Sequence, residues 1–309
     1  MMMMPTVHVG QGTHLGGLSV FPIWTDAPVV AGLDTGRSAR VRVAEREGSP
    51  VVEELVLKNT GAKPALLVAG ELFEGGWQHR ALNHDVLLVA GQQLVASVSC
   101  VEAGRWQGGA AQVRGSRRAS MMVRGAQTIA DGRQRQGEVW ERVSRYDAAF
   151  GGSPTASYVD HLDRRAAPCQ NTDDGPCQQP EGFDLTAGIR SIRALAGQRG
   201  VLIGIGGQPA FLEVFASVTG LRRHLRGLLN AAVLDAALLP AEPTPGRRAR
   251  RFVERLGQAP LGDQPGADAG AGCALASRSP HHEIRGLAWD DRLLHATVFN
   301  RRHDLMVAA

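Results

Sequence analysis

Lysine is almost missing from this 309-residue chain: Lys58 and Lys63 stand against 32 arginines. No lysine follows a glycine-rich loop, so a P-loop nucleotide site is excluded. Arginine, alanine and glycine are abundant together, the pattern that GC-rich coding produces. Cysteine is also scarce, with Cys100, Cys169, Cys177 and Cys273 spread along the chain. Cys169 and Cys177 have no second pair to complete a zinc site. The opening residues lack a basic region followed by an apolar core, so no secretory leader is predicted. No apolar run approaches the roughly 20 residues of a membrane span. These absences predict a cytoplasmic protein with reduced thiols and no membrane partner.

What is present is ordinary for a folded protein: 43% apolar and 21% charged residues. The net charge of +4 is small for the length and does not by itself indicate nucleic-acid binding. The chain is long enough to bury a large core. We expect one domain over residues 1–309, β-rich over 1–110, helical over 111–165 and α+β over 184–309, with a loop insertion at 166–183.

The first third reads as strands. Residues 39–47 and 52–60 alternate apolar and polar positions, and an apolar run fills 65–70. Residues 85–90 and 93–101 flank Gly91-Gln92 and predict a hairpin. Val139, Trp140, Val143, Tyr146 and Phe150 recur at helical spacing, then two glycines stop the helix. Ser153 and Pro154 suit the start of the next one. Beyond it, residues 184–198 read as a helix and 199–217 as a hairpin. Residues 219–240 form the clearest helical pattern, closed by Pro240. Residues 241–251 and 257–272 read as loops, and 282–302 as a hairpin turning at Asp290-Asp291. Short connections between strands favour antiparallel pairing, so the predicted fold class is α+β.

Two motif readings fail on context. Gly204, Gly206 and Gly207 follow a strand, but a strand-like segment comes next, and no helix N-terminus is available for a pyrophosphate. His79, His84 and Asp85 lie near Glu71 and Glu74, but in strand-and-turn sequence rather than the helical spacing of a zincin. They remain the basis of a weaker metal-dependent hydrolase alternative, and no metal is assigned.

A denser signal lies in "VSCVEAGRW". Period-two alternation puts Leu94, Ala96, Val98, Cys100 and Glu102 on one strand face, apolar until the last. Cys100 then belongs to packing, and Glu102 needs either an exit to water or a cationic partner. "ALLVAGE" repeats the design with Glu71. Between Arg105 and Arg145, nine arginines face three acids, a run that can border a phosphate or form a solvated face.

The blocks "GELFEGGWQHRALNHDVLL", "VSCVEAGRW", "RQGEVWERV" and "GGSPT" resemble the signature of the ARG and rhodanese-phosphatase-superfamily-associated protein domain family. The matching positions are Gly70, Glu71, Leu72, Gln78, Arg80, Cys100, Glu102, Gly104, Arg105, Trp106, Gln136 and Trp140. The wording at 77–80 and the segment 166–183 depart from that pattern. The resemblance implies a role near ADP-ribose, NAD or phosphoester metabolism and names no cofactor.

Three functional readings follow. In the first, Glu71, Gln78, Arg80, Glu102 and Arg105 line a pocket for a phosphorylated or nucleotide-like small molecule. Gln136 contributes to it, Trp106 and Trp140 are its walls, and Glu71 or Glu102 is the base if chemistry occurs. In the second, the same Glu–Arg pairs are structural, in a non-catalytic scaffold or oligomerising module. The third is the metal-dependent hydrolase.

Overall fold

A computed structural model describes residues 2–48, 51–129, 132–166, 185–264 and 266–307. The predicted insertion at 166–183, with Cys169 and Cys177, lies outside the described residues apart from the end of one helix. Antiparallel sheets dominate the N-terminal half and helices with hairpins the C-terminal half, so the fold is α+β.

Three sheets organise the described residues. Residues 41–118 close a barrel in the order Arg80–Leu82, Gln93–Cys100, Glu54–Asn59, Val41–Ala44, Ala111–Arg118, Glu71–Gly75. Its interior is apolar, with Leu55, Leu57, Phe73, Leu82 and Val98 buried together. A three-stranded sheet of Val86–Leu88, Ala65–Leu67 and Asp34–Thr35 lies beside it. The third sheet has ten strands and draws on both ends of the chain. Leu18–Thr25 pairs with Gly200–Ile205, and Met2–Met3 pairs with Pro260–Asp263. The barrel is therefore inserted between two segments of one sheet.

Among the described residues, six α-helices follow in chain order: α1 (Met121–Ala126), α2 (Gly132–Phe150), α3 (Tyr158–Ala166), α4 (Leu185–Ser191), α5 (Val218–Ala236) and α6 (Gly246–Leu256). Ser217 starts α5 by accepting from the Gly220 amide. Leu221, Leu225, Leu228, Leu229 and Ala232 give α5 an apolar face in the main core. Period-two alternation separates the two faces of the ten-stranded sheet. Val201, Ile203, Phe211 and Phe215 face α5, while Leu202, Leu212 and Val214 face α6. None of the described helices is long and apolar enough to cross a membrane.

Both predicted C-terminal hairpins form. Gly206 and Gly207 have φ of 56° and 77°, and Asp290 and Asp291 have 49° and 56°. Positive φ at both central positions matches the right-handed twist of the flanking strands. Other elements differ from the sequence reading. Residues 85–101 are not a hairpin: Val86–Leu88 pairs with Ala65–Leu67, and Gln93–Cys100 pairs with Glu54–Asn59 in the barrel. A turn can join two sheets as readily as two paired strands. Ala111–Arg118 is a barrel strand rather than the start of the helical region. Ser153 binds the Ser157 amide and stabilises a turn, and α3 begins later, at Tyr158. Residues 246–256 form α6, not a loop, because Ala249, Phe252 and Leu256 bury one face. Residues 257–272 contribute the short strand Pro260–Asp263.

Candidate functional site

Glu102 sits just beyond the strand Gln93–Cys100 and is almost fully buried. Its carboxylate accepts from Arg105 Nε at 2.9 Å and Nη2 at 2.7 Å, from the His79 amide at 2.9 Å and from Thr155 Oγ1 at 2.8 Å. That set fills the acceptor capacity of a carboxylate. Burial pushes the Glu102 carboxyl up, but Arg105, the His79 amide and Thr155 more than offset it, holding it below the usual range. Arg105 spends its remaining donors on the Gly76, Gly75 and Gln107 carbonyls at 2.7, 3.2 and 3.4 Å.

Around this pair, Gln78 Nε2 donates to the Glu102 carbonyl, and Gln136 on α2 pairs with both the amide and the carbonyl of Cys100. Arg80 Nε donates to the Val52 carbonyl. Trp106 and Trp140 meet edge to face at 6.5 Å, with Trp106 exposed. Cys100 is buried, and burial raises its thiol pKa, the setting of an inert packing cysteine.

Glu71 is elsewhere. It opens the strand Glu71–Gly75, whose far end holds Arg105, so the two glutamates lie at opposite ends of one strand. Glu71 binds Arg114 at 2.8 Å and the Val68 amide at 3.0 Å. Arg114 then ties down the Ala39 and Gly36 carbonyls. The structure thus gathers Gln78, His79, Glu102, Arg105 and Gln136 and leaves Glu71 apart.

Of the residues of the metal alternative, His79 lies apart from His84 and Asp85. His79 accepts from the Gly75 amide, Asp85 binds His295, and His84 lines a cleft. Among the described residues, no group of three or more His, Cys, Asp or Glu side chains is arranged to hold a metal ion.

The sequence reading missed a second charged centre, where the barrel meets the ten-stranded sheet. Glu213 projects from the strand Gln208–Phe215, on the face shared with Phe211 and Phe215, and is fully buried. Its carboxylate accepts from Arg118 at 3.3 Å and from Arg124. Its second oxygen faces His295 Nε2 at 3.3 Å, and His295 Nδ1 meets Asp85 at 2.7 Å. Burial lowers the His295 pKa, but Asp85 and Glu213 raise it to about 9, so the ring is an imidazolium at neutral pH. Burial raises the Asp85 carboxyl, and His295 and the Ala69 amide bring it below its usual value. A lone glutamate in "AFLEVF" and a lone histidine in "LLHATVF" were the available signals, since a charged residue in an apolar strand needs partners.

Two clefts adjoin this centre. The smaller, of about 30 Å3, is lined by His84, Asp85, Arg124, Gln127, Arg285 and Thr297. The larger, of about 160 Å3, lies between the strand Ala111–Arg118 and helices α3, α4 and α5. Arg117, Arg118, Arg165, Arg190, Arg226 and Asn230 contribute to its lining, and none of the described lining residues is a carboxylate. Arg117 pairs with Glu74 and Asp163. Arg226 caps the Ile189 and Arg190 carbonyls of α4, and Arg165 lies 5.2 Å from the Phe150 ring centre. Neither cleft is lined by Glu71, Gln78, Arg80, Glu102, Arg105, Trp106, Gln136 or Trp140.

An inserted barrel on a sheet shared by both chain ends, fastened by buried Glu–Arg and Glu–His contacts, defines a mixed α+β protein with two polar centres. Residues 6–299 match the ARG and Rhodanese-Phosphatase-superfamily-associated Protein domain, and the chain belongs to that family. No curated protein and no solved structure matches it.

Proposed function

We propose that the protein binds a phosphorylated small molecule in the arginine-lined cleft between the barrel and helices α3, α4 and α5. The observation that carries this reading is the lining itself: five arginines and Asn230 around about 160 Å3, with no carboxylate among the described lining residues. Guanidinium groups present planar sets of donors that match phosphate oxygens. Phe150 beneath Arg165 limits that side chain's movement. In this reading the ligand class expected from the sequence is kept and its place is moved.

Glu102 and Arg105 then act as an anchor for the loop after the barrel strand, and Glu71 with Arg114 as a second anchor. The saturated contacts of Glu102 favour that structural role, because neither it nor Arg105 keeps a donor or acceptor for a ligand. A cytoplasmic setting accompanies the proposal: the described cysteines, Cys100 and Cys273, are free thiols, which suits a reducing compartment. The family's association makes ADP-ribose and NAD the first ligands to try.

The test is a thermal-shift series with ADP-ribose, NAD, nucleotides and phosphosugars, run on the native chain and on Asn230→Asp. A ligand that binds only the folded state raises Tm by mass action. The exposed Asn230→Asp change puts a carboxylate among the guanidinium groups and should abolish the shift with the fold intact. No shift with any phosphorylated ligand overturns the proposal.

A further inference from the structure

The smaller cleft is independent of the arginine-lined one, and its polar atoms are unusually incomplete. Arg124 Nε, Thr297 Oγ1, Gln127 Oε1 and Arg285 Nε are all buried without a hydrogen-bond partner. Arg124, Gln127 and Thr297 are each at least 96% buried. Buried polar groups left unpaired cost free energy, so a cluster of them around one cavity marks a place where something else completes the bonding.

The surroundings say what kind of group. Arg124 is fixed by Glu213 on one side and by the Phe211 and Phe299 rings at 4.8 and 5.3 Å on the other. Gln127 donates its Nε2 to the Ala81 carbonyl, which orients the amide and leaves Oε1 as an acceptor. Arg285 bonds the Thr128 carbonyl at 3.0 Å and pairs with Glu283 at 2.7 Å. The open positions are therefore two guanidinium N–H donors, one hydroxyl and one carbonyl-type acceptor.

Asp85, Glu213 and Asp235 set three carboxylates against His295, Arg118 and Arg124, so the charged groups match one another and the unpaired donors are what a ligand would meet. Glu283 offsets Arg285, and Arg114 offsets Glu71. The cavity, of about 30 Å3, has room for roughly two water-sized groups.

We propose that this cleft binds a small monovalent oxyanion that carries its own hydroxyl, of the bicarbonate or dihydrogen phosphate class. The anionic oxygens take the N–H groups of Arg124 and Arg285 and the Thr297 hydroxyl. The ligand's O–H donates to Gln127 Oε1. His84 forms one wall, neutral at pH 7 because burial and the nearby Arg135 and Arg285 lower its pKa to about 4.

The experiment titrates the full chain with sodium bicarbonate or inorganic phosphate. Ionic strength is held by a bulky sulfonate buffer, and both Tm and the His84 ring resonances are followed. A saturable rise in Tm with movement of the His84 signals is expected. Thr297→Val is nearly isosteric and removes one unpaired hydroxyl, so the fold is kept and binding weakens by about 10-fold, the effect of one charge-assisted hydrogen bond. Formate and chloride, which carry no O–H, should bind at least several-fold more weakly, because Gln127 Oε1 stays unpaired with them. Asn230→Asp should leave all of this unchanged, which separates the site from the arginine-lined cleft. Equal binding of chloride or formate overturns the assignment of a hydroxyl-bearing oxyanion. No saturable response, or one that Thr297→Val leaves intact, overturns the site itself.

Discussion

Glu102 and Glu213 are both buried glutamates bound to arginine, yet they hold the molecule in different ways. Glu102 meets Arg105 three residues away, and its other contacts fasten the same loop to its neighbours. Its arginine is one-quarter exposed. Glu213 meets Arg118, Arg124 and His295, none closer than 82 residues in sequence, and every one of these side chains is buried. The first is a local pin. The second joins a barrel strand, α1 and two strands of the ten-stranded sheet. Glu102 and Arg105 are themselves saturated, although Gln78 Oε1 and Arg80 Nη1 near them are buried without a partner, whereas at the long-range centre the charged side chains Arg118 and Arg124 keep unpaired donors. Only at the second do such atoms line one of the two clefts.

That contrast is broken most directly at Glu213. Glu213→Gln keeps the shape but leaves Arg118, Arg124 and His295 without their shared counter-charge. A loss of about 3–5 kcal/mol is expected, the cost of removing one partner from a buried ionic group. Urea unfolding measures it, and a loss below that of Glu102→Gln would reverse the ranking of the two centres.

His295 gives the same centre a pH signature. Its folded pKa of about 9 exceeds the ordinary value of about 6.5, so the folded state holds the proton more tightly. The resulting stability is complete below pH ~6.5 and is lost as pH rises through ~9, amounting to roughly 3 kcal/mol at most. Urea midpoints at pH 6, 7.5 and 9.5 should fall along that series. His295→Gln should flatten this limb while lowering stability at pH 6.

Glu102→Gln sharpens the comparison from the other side. It weakens a two-point ion pair whose arginine reaches solvent, so about 1–3 kcal/mol is expected. The loss should be accompanied by easier proteolysis of the loop after residue 102. Ligand-induced thermal shifts should persist, since the anchor is outside both clefts.

How much of this was legible in the sequence follows from contact range. The barrel strands Val41–Ala44, Glu54–Asn59 and Gln93–Cys100 were readable because alternation is local, and the two C-terminal hairpins because their turn residues are local too, whereas Ala111–Arg118 reads as the start of the helical region. Glu102 and Arg105 could be paired on paper, being three residues apart. The false hairpin at 85–101 arose where local turn chemistry was right but strand partners lay in different sheets. α6 was missed because Pro, Gly and Arg dominate its first turn, although Ala249, Phe252 and Leu256 already repeat with helical spacing. The Glu213 centre was out of reach in its partners: His295 and Asp85 are 210 residues apart, and no periodicity links them. What could be read was only that a charged residue sat in each of two apolar strands.

Trp106 carries the smallest expected effect and still bears on the comparison. It was expected to wall a pocket, and it lies beside the pin with 53% of its surface exposed, touching Trp140 edge to face. Such a ring pair contributes about 0.5–1.5 kcal/mol beyond area burial, and the exposure here argues for the lower end. Trp106→Ala should therefore shift the urea midpoint slightly and leave the thermal shift with phosphorylated ligands unchanged. A large stability loss would mean that the ring, rather than Glu102, holds the loop. Loss of ligand response with stability intact would return the binding site to the pin and away from the arginine-lined cleft. A near-silent substitution is what a saturated anchor predicts, because Arg105 is already held by Glu102 and by three backbone carbonyls without help from the Trp106 ring.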